Sequence, residues 1–135
     1  MSSEEVSVPD WPKPRGYSNG RIGRGVPLHV GGQIAWDTQG NFPEGMAAQF
    51  AATLDNVLAV VRAAGGRPED VTAMTVFVTD LPAYRTAAVN DLGKLWRERF
   101  GKHYPAMALV GVAGLVEPRA LVEIEAIAYI EEKSA

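Results

Sequence analysis

The sequence predicts an α+β domain in which two helices cover one face of a single sheet. Two segments carry apolar residues at helical spacing, and several short Val- and Ile-rich segments predict strands. The last of these, residues 121–130, has one wholly apolar face, formed by Val122, Ile124, Ala126, Ala128 and Ile130. Because successive side chains of a strand point to opposite faces, this apolar face should pack on the helices. The predicted order is β-β-α-β-α-β-β, with an extra short strand near Tyr17.

The other face of the last strand mixes carboxylates with large apolar side chains. It carries Leu121, Glu123, Glu125, Ile127 and Tyr129. Such a face is either exposed to solvent or half-covered by a partner subunit or a pocket. A half-covered carboxylate can have a perturbed pKa and act as an acid or base. The strand alone leaves both interpretations open.

Proline, glycine and capping residues set the expected helix ends. The first helix should begin near Pro43 and end at Gly65-Gly66. Its apolar stripe comprises Met46, Phe50, Leu54, Val57, Leu58 and Val61. The second helix should be capped by Asp80 or Thr79, with Pro82 in its first turn. Strands are expected at residues 28–34, 71–79 and 105–112.

The N-terminal part is expected to differ from the rest. Residues 1–14 are polar and proline-rich around Trp11, which predicts a flexible, extended arm, while residues 15–135 form a single domain. The glycine-rich segment at residues 20–25 predicts a loop. In the following strand, the Gly31-Gly32 pair allows another group to approach the backbone closely.

Composition excludes several functional classes. The net charge is −3 with scattered basic residues, which gives no electrostatic footprint for nucleic acid. There is no cysteine, and neither His29 nor His103 has a histidine or carboxylate at metal-ligand spacing, so no metal site is expected. No apolar run could span a bilayer and the N-terminus does not resemble a secretory signal. A cytoplasmic location is the expectation.

Ordered short motifs extend over most of the chain and together resemble one family. They include Tyr17-Ser-Asn-Gly20, Gly32-Gln-Ile34, Gln49, Leu54-Asp-Asn56, Thr75-Val-Phe-Val-Thr-Asp80, Asn90, Pro105-Ala106 and Val122-Glu-Ile-Glu-Ala-Ile-Ala128. This set resembles the Rid family, the reactive-intermediate deaminases also called the YjgF or RidA family. The resemblance implies a chorismate-mutase-like fold, assembled as a homotrimer with clefts between subunits.

The resemblance also implies an activity and its residues. Members hydrolyse small reactive enamines and imines to a carbonyl compound and ammonia, without metal or organic cofactor. Glu123 matches the family carboxylate that handles a water at the imine carbon. Tyr17, Gly31, Gly32 and Asn90 match positions that shape the cleft.

One departure from the family pattern concerns specificity. Active deaminases of amino-acid-derived imines read Pro-Ala-Arg where this chain has Pro105-Ala106-Met107. Methionine carries no charge, so a charge-assisted contact to the substrate carboxylate worth about 1.5–3 kcal/mol is missing. The sequence therefore predicts a larger or less acidic substrate, with Met107 and Trp36 forming an apolar wall. Arg15, Arg24 and Arg119 are the candidates to replace the missing arginine.

Two other functions remain as alternatives. The loss of the arginine favours a non-catalytic, small-molecule-binding or regulatory trimer of the same fold. Ribonuclease activity, attached to some relatives, ranks last because the chain is acidic and has no basic groove.

Overall fold

The computed structural model describes residues 3–132 and contains two sheets. The strands are β1 (Ser3–Val6), β2 (Gly20–Gly23), β3 (Val26–Gln33), β4 (Val71–Val78), β5 (Ala106–Gly111) and β6 (Val122–Ile130). The main sheet has the order β3-β6-β4-β5, in which β6 is antiparallel to both neighbours while β4 and β5 are parallel. The predicted mixed α+β class is confirmed.

The helices pack together on one face of the main sheet, called here the helix face. They are α1 (Met46–Ala63), α2 (Leu81–Ala87) and α3 (Gly93–Phe100), and a π-helical turn at Ala88–Leu92 joins the last two. The predicted stripe of α1 is buried throughout, from Met46 to Val61. Opposite it, Val122, Ile124 and Ala128 of β6 have no exposed surface. Close packing of these apolar side chains stabilises the domain.

The helix ends agree with the sequence signals except at the start of α1. Gly45 has a φ of +91°, which lies outside the helical region, so α1 begins at Met46 rather than near Pro43. At its end the amide of Gly65, with φ +87°, donates to Arg62 O at 2.9 Å. Asp80 caps α2 as predicted, because its Oδ1 accepts the amide of Ala83 at 3.0 Å.

The N-terminal region contains a strand pair that the sequence did not predict. Gly20–Gly23 was expected to be a loop but forms β2, antiparallel to β1 at Ser3–Val6. Glycine-rich sequence has low strand propensity, and pairing with a segment distant in sequence overrides it here. Trp11 does not dock on the domain, since 61% of it is exposed.

The face of the sheet opposite the helices, called here the open face, carries the mixed side of β6. Glu125 is exposed, and Glu123, Ile127 and Tyr129 are half-buried. No helix within residues 3–132 has both the length and the apolar character needed to cross a membrane.

Candidate functional site

A cavity of about 520 Å³ lies beside the edge strand β5, between that strand, the helices and the segment before β2. We call it the edge cavity. Its main side chains are Arg15, Tyr17, Tyr84, Trp96, Arg97, Tyr104 and Met107. The structure therefore brings together Tyr17 and Met107, two of the residues predicted from the sequence.

Hydrogen bonds hold the Tyr17 segment against the start of β5. The Ser18 amide donates to Pro105 O at 2.9 Å, and the Ser18 hydroxyl donates to Tyr104 O at 2.5 Å. Arg21 reinforces the second of these bonds, donating from Nη1 to Ser18 Oγ at 3.1 Å and to Tyr104 O at 3.3 Å. Buried or partly buried bonds of this kind fix the backbone, so Tyr17 has a defined place on the cavity wall.

The π turn keeps one row of helix residues directed at the edge cavity. Tyr84, Ala88, Leu92 and Trp96 all line it and are spaced four residues apart. In a regular α-helix such a row drifts by about 40° with each step. The wider π turn between α2 and α3 counters this drift, and such turns occur often at functional sites.

Aromatic side chains form the cavity's inner wall. The rings of Trp96 and Tyr104 stack with centroids 6.0 Å apart, and Trp96 Nε1 donates to His103 O at 3.0 Å. Burial raises the pKa of Tyr84, so its hydroxyl stays protonated and neutral near pH 7. The wall can therefore offer a ligand an apolar aromatic surface and a neutral hydrogen-bond donor.

Glu123 lies on the open face, with its side chain directly against the backbone of Gly32. A Cβ added to Gly32 would overlap Glu123 Oε2 and lie 2.8 Å from Glu123 Cδ. A Cβ added to Gly31 would meet nothing within 4 Å. The predicted close approach therefore occurs at Gly32, and the group that approaches is the candidate catalytic carboxylate.

Strand register places Glu123 and Met107 on opposite faces of the sheet. Met107 pairs with Met74 of β4, which is buried under the helices. Glu123 pairs with Phe77 of β4. Directly paired residues share a face, and Met74 and Phe77 are three positions apart, so they point to opposite faces. One chain alone does not bring Glu123 and Met107 together.

Trp36 and Asn90 lie outside the edge cavity. Trp36 is 49% exposed and lies in a loop. Its backbone carbonyl accepts a hydrogen bond from the Asn56 side-chain amide at 2.9 Å. Asn90 is exposed on the π turn and lines a shallow pocket with Asp91 and Lys94. Met107 and Trp36 therefore do not form a common apolar wall within one chain.

The three arginines proposed to replace the missing clamp have different surroundings. Arg24 is paired with Glu4 at 3.1 Å. Arg119 is paired with Glu117 at 2.9 Å, and this contact lowers the pKa of Glu117 to about 2. Only Arg15 among the three lines the edge cavity.

Sequence reasoning missed Arg97, which also lines the edge cavity. It comes four residues after Gly93, and a Cβ on Gly93 would be 3.2 Å from Arg97 Nη1. The guanidinium therefore lies back over the bare backbone of Gly93. The spacing Gly93-x-x-x-Arg97 is the only sequence signal for this placement, and it is common in helices.

Gln49, part of the family resemblance, has a structural place. Its side chain is buried, and Nε2 donates to Pro43 O at 3.2 Å and to Arg119 O at 2.9 Å. Its Oε1 accepts the amide of Leu121 at 2.8 Å. Gln49 thus fixes the start of β6, the strand that presents Glu123. Within residues 3–132 no group of His, Asp or Glu side chains could hold a metal ion.

Comparison with known proteins identifies the family. The family model for endoribonuclease L-PSP matches residues 11–130. The Rid family protein YyfB of Yersinia pestis, of unknown function, is 29% identical with a TM-score of 0.84, over 96% of this chain and 100% of that one.

Two Escherichia coli proteins have similar structures. YjgF is 34% identical with a TM-score of 0.69, over 93% of this chain and 98% of its own. TdcF, solved with bound serine, is 33% identical with a TM-score of 0.70, over 95% of this chain and 99% of its own. The resemblance seen in the motifs is confirmed, and the chain belongs to the Rid family, also called the YjgF or RidA family.

Proposed function

We propose that this protein hydrolyses a reactive enamine or imine to a carbonyl compound and ammonia, with Glu123 as the acid and base. The observation that carries the proposal is the placement of Glu123 against Gly32 on the open face of β6. Membership of a family associated with imine deamination supports it. The serine bound to TdcF supports a small molecule as the ligand.

The chemistry asks for one proton acceptor that can return its proton. The imine reacts in its protonated form: Glu123 takes a proton from water as the water oxygen bonds to the iminium carbon, and the iminium nitrogen becomes an amine. The same carboxyl then protonates that amine. As the C–N bond breaks to release ammonia, the carboxylate takes the hydroxyl proton and the carbonyl forms. Acid–base assistance of this kind contributes about 10²–10⁴ in rate. An enamine enters the same sequence after protonation at carbon.

The site is completed by a second subunit in a homotrimer. This part of the proposal rests on the opposite directions of Glu123 and Met107, which a single chain cannot reconcile. It also rests on Ile127, a half-buried apolar residue of the open face beside the carboxylates, whereas Tyr129 on the same face lies against Gly23 of β2 in its own chain. A partner's edge cavity docked near an open face would place a Glu123 beside a Met107.

Met107 shifts the specificity away from amino-acid-derived imines. Its side chain is half-buried against the core on the helix face and lines the edge cavity beside Tyr17 and Tyr104. It leaves the family position of the carboxylate clamp without a charge. A substrate whose carboxylate is bonded directly to the reacting carbon loses its partner there.

The second candidate function is a binding or regulatory trimer without turnover. The observation that favours it is that Met107 stands where the active family members have the substrate-binding arginine. Ammonia release from a panel of enamines, with and without carboxylates, separates the two, because a binding protein would bind panel members and release no ammonia.

We expect a homotrimer in solution, joined through the open face. Multi-angle light scattering at micromolar concentration should give three times the chain mass. Ile127→Asp, which puts a charge on that face outside the proposed catalytic group, should lower the mass. A monomer mass for the unmodified protein would contradict the arrangement.

We expect Glu123→Gln to keep the fold and the assembly and to lower ammonia release by about 10²-fold or more. The amide preserves shape and hydrogen bonding but cannot accept the proton. Glu125→Gln is the matched control, since Glu125 is on the same face but lines a depression with His29 and Thr75, whereas Glu123 lies against Gly32. Activity lost with Glu125→Gln and kept with Glu123→Gln would show that Glu125, and not Glu123, is the catalytic carboxylate.

We expect Gly32→Ala to reduce turnover while Gly31→Ala does not. The new methyl group at position 32 overlaps the Glu123 carboxylate and must turn it away, whereas position 31 has free space. Ammonia release and circular dichroism of both variants provide the measurement. Equal turnover in the two variants would mean that the position of Glu123 against Gly32 does not matter for the reaction.

We expect poor turnover of 2-aminoacrylate compared with a relative that has arginine at this position. Met107→Arg should raise kcat/KM for this substrate about ten- to a hundred-fold by restoring the charge-assisted contact. A coupled assay of both proteins measures it. Turnover by the unmodified chain equal to that of the relative would show that Met107 does not limit the substrate.

A further inference from the structure

We propose that Arg15 and Arg97 bind an anionic group of the ligand at the mouth of the edge cavity. The ligand class is a carboxylate-bearing enamine or imine whose carboxylate is separated from the reacting carbon by several bonds. This inference rests on the proposed function for the identity of the reacting group. It replaces the expectation of a less acidic substrate with that of a longer one.

The first observation behind the anion site is the positive charge of the edge cavity. Arg15 and Arg97 both line it, and the described residues that line it include no Asp or Glu. Across residues 3–132 neither guanidinium has an ion pair or hydrogen bond to a protein group, unlike Arg24, Arg99 and Arg119. Two uncompensated guanidiniums at one cavity favour an anion with planar oxygens, such as a carboxylate.

The second observation is the conformation of the Arg97 side chain. Its Nη1 lies above Gly93, where a Cβ would come within 3.2 Å. In this conformation the guanidinium lies back along the helix and beside the cavity. A charge already placed at the cavity costs less ordering entropy on binding than one that must be brought there.

The third observation is that the side chains of the edge cavity lie at different depths. Both arginines are exposed, Met107 is half-buried and Trp96 is 6% exposed. The charges therefore lie at the mouth, and the aromatic wall of Trp96 and Tyr104 lies deeper. In a ligand with its carboxylate at the mouth, the atoms that follow lie along the aromatic wall toward Met107. A carboxylate bonded to the reacting carbon cannot span these two places.

Binding of a stable probe tests the inference without turnover. The probe is 3-phenylpropionate, whose ring suits the aromatic wall and whose carboxylate sits on a flexible arm, and its uncharged partner is 3-phenylpropionamide. Titration calorimetry of the whole protein should show tighter binding of the carboxylate, weakening with added salt. The double variant Arg15→Gln/Arg97→Gln should lose about tenfold or more for the carboxylate and less than about threefold for the amide.

Two further variants separate charge at the cavity from charge in general. Arg85→Gln removes an exposed arginine of α2 that does not line the edge cavity, and it should leave both affinities unchanged. Arg97→Lys keeps the positive charge without the planar guanidinium, so it should retain part of the carboxylate preference that the double variant loses. Circular dichroism confirms that each variant is folded.

The outcomes distinguish this inference from the proposed function. Equal affinities for the carboxylate and the amide, no carboxylate binding at millimolar concentration, or the same loss in Arg85→Gln would each overturn the anion site. Carboxylate binding that depends on Arg15 and Arg97, in a protein that releases no ammonia from any enamine, would keep the site and overturn the deaminase. Ammonia release that is unchanged in the Arg15→Gln/Arg97→Gln variant would keep the deaminase and overturn the anion site.

Discussion

Pairing of β6 on both of its edges is the constraint on which the rest of the domain depends. β3 and β4 flank it in antiparallel register, so its alternation of side chains cannot slip without turning Ile124 out and Glu123 in. The same register that buries the apolar residues under α1 therefore fixes the carboxylates on the open face. Stability and the candidate chemistry are specified by one strand, and a change that weakens either pairing affects both.

Much of the architecture was predictable because its signals are local. The alternation along β6, the stripe of α1 and the cap at Asp80 are all read from neighbouring residues, and the structure confirms each of them. The pairing of β1 with β2 was not predictable, because it joins segments 14 or more residues apart whose own sequence favours a loop. The late start of α1 depends on the positive φ of Gly45, which the sequence Pro-Glu-Gly does not specify.

The candidate site was predictable only where it follows the strands. Alternation places Glu123, and the family motif places Met107 at the edge strand, but neither shows that the two point to opposite faces. That result comes from the offset between Met74 and Phe77 in β4, which requires the sheet order. The position of Arg97 was not predictable, because it is defined by the cavity and by the bare backbone of Gly93, and the cavity is a product of the tertiary structure.

The hydrogen bonds of Arg21 connect the beginning of the chain to the cavity wall. Its Nε donates to Ser3 Oγ at 3.1 Å in β1, while its Nη1 contacts Ser18 and Tyr104 at the base of β5. One guanidinium thus ties β1 to the segment that carries Arg15 and Tyr17. For protein engineering, this makes β1 a poor place for a fused tag or a truncation, since altering β1 would disturb the wall of the edge cavity at a distance.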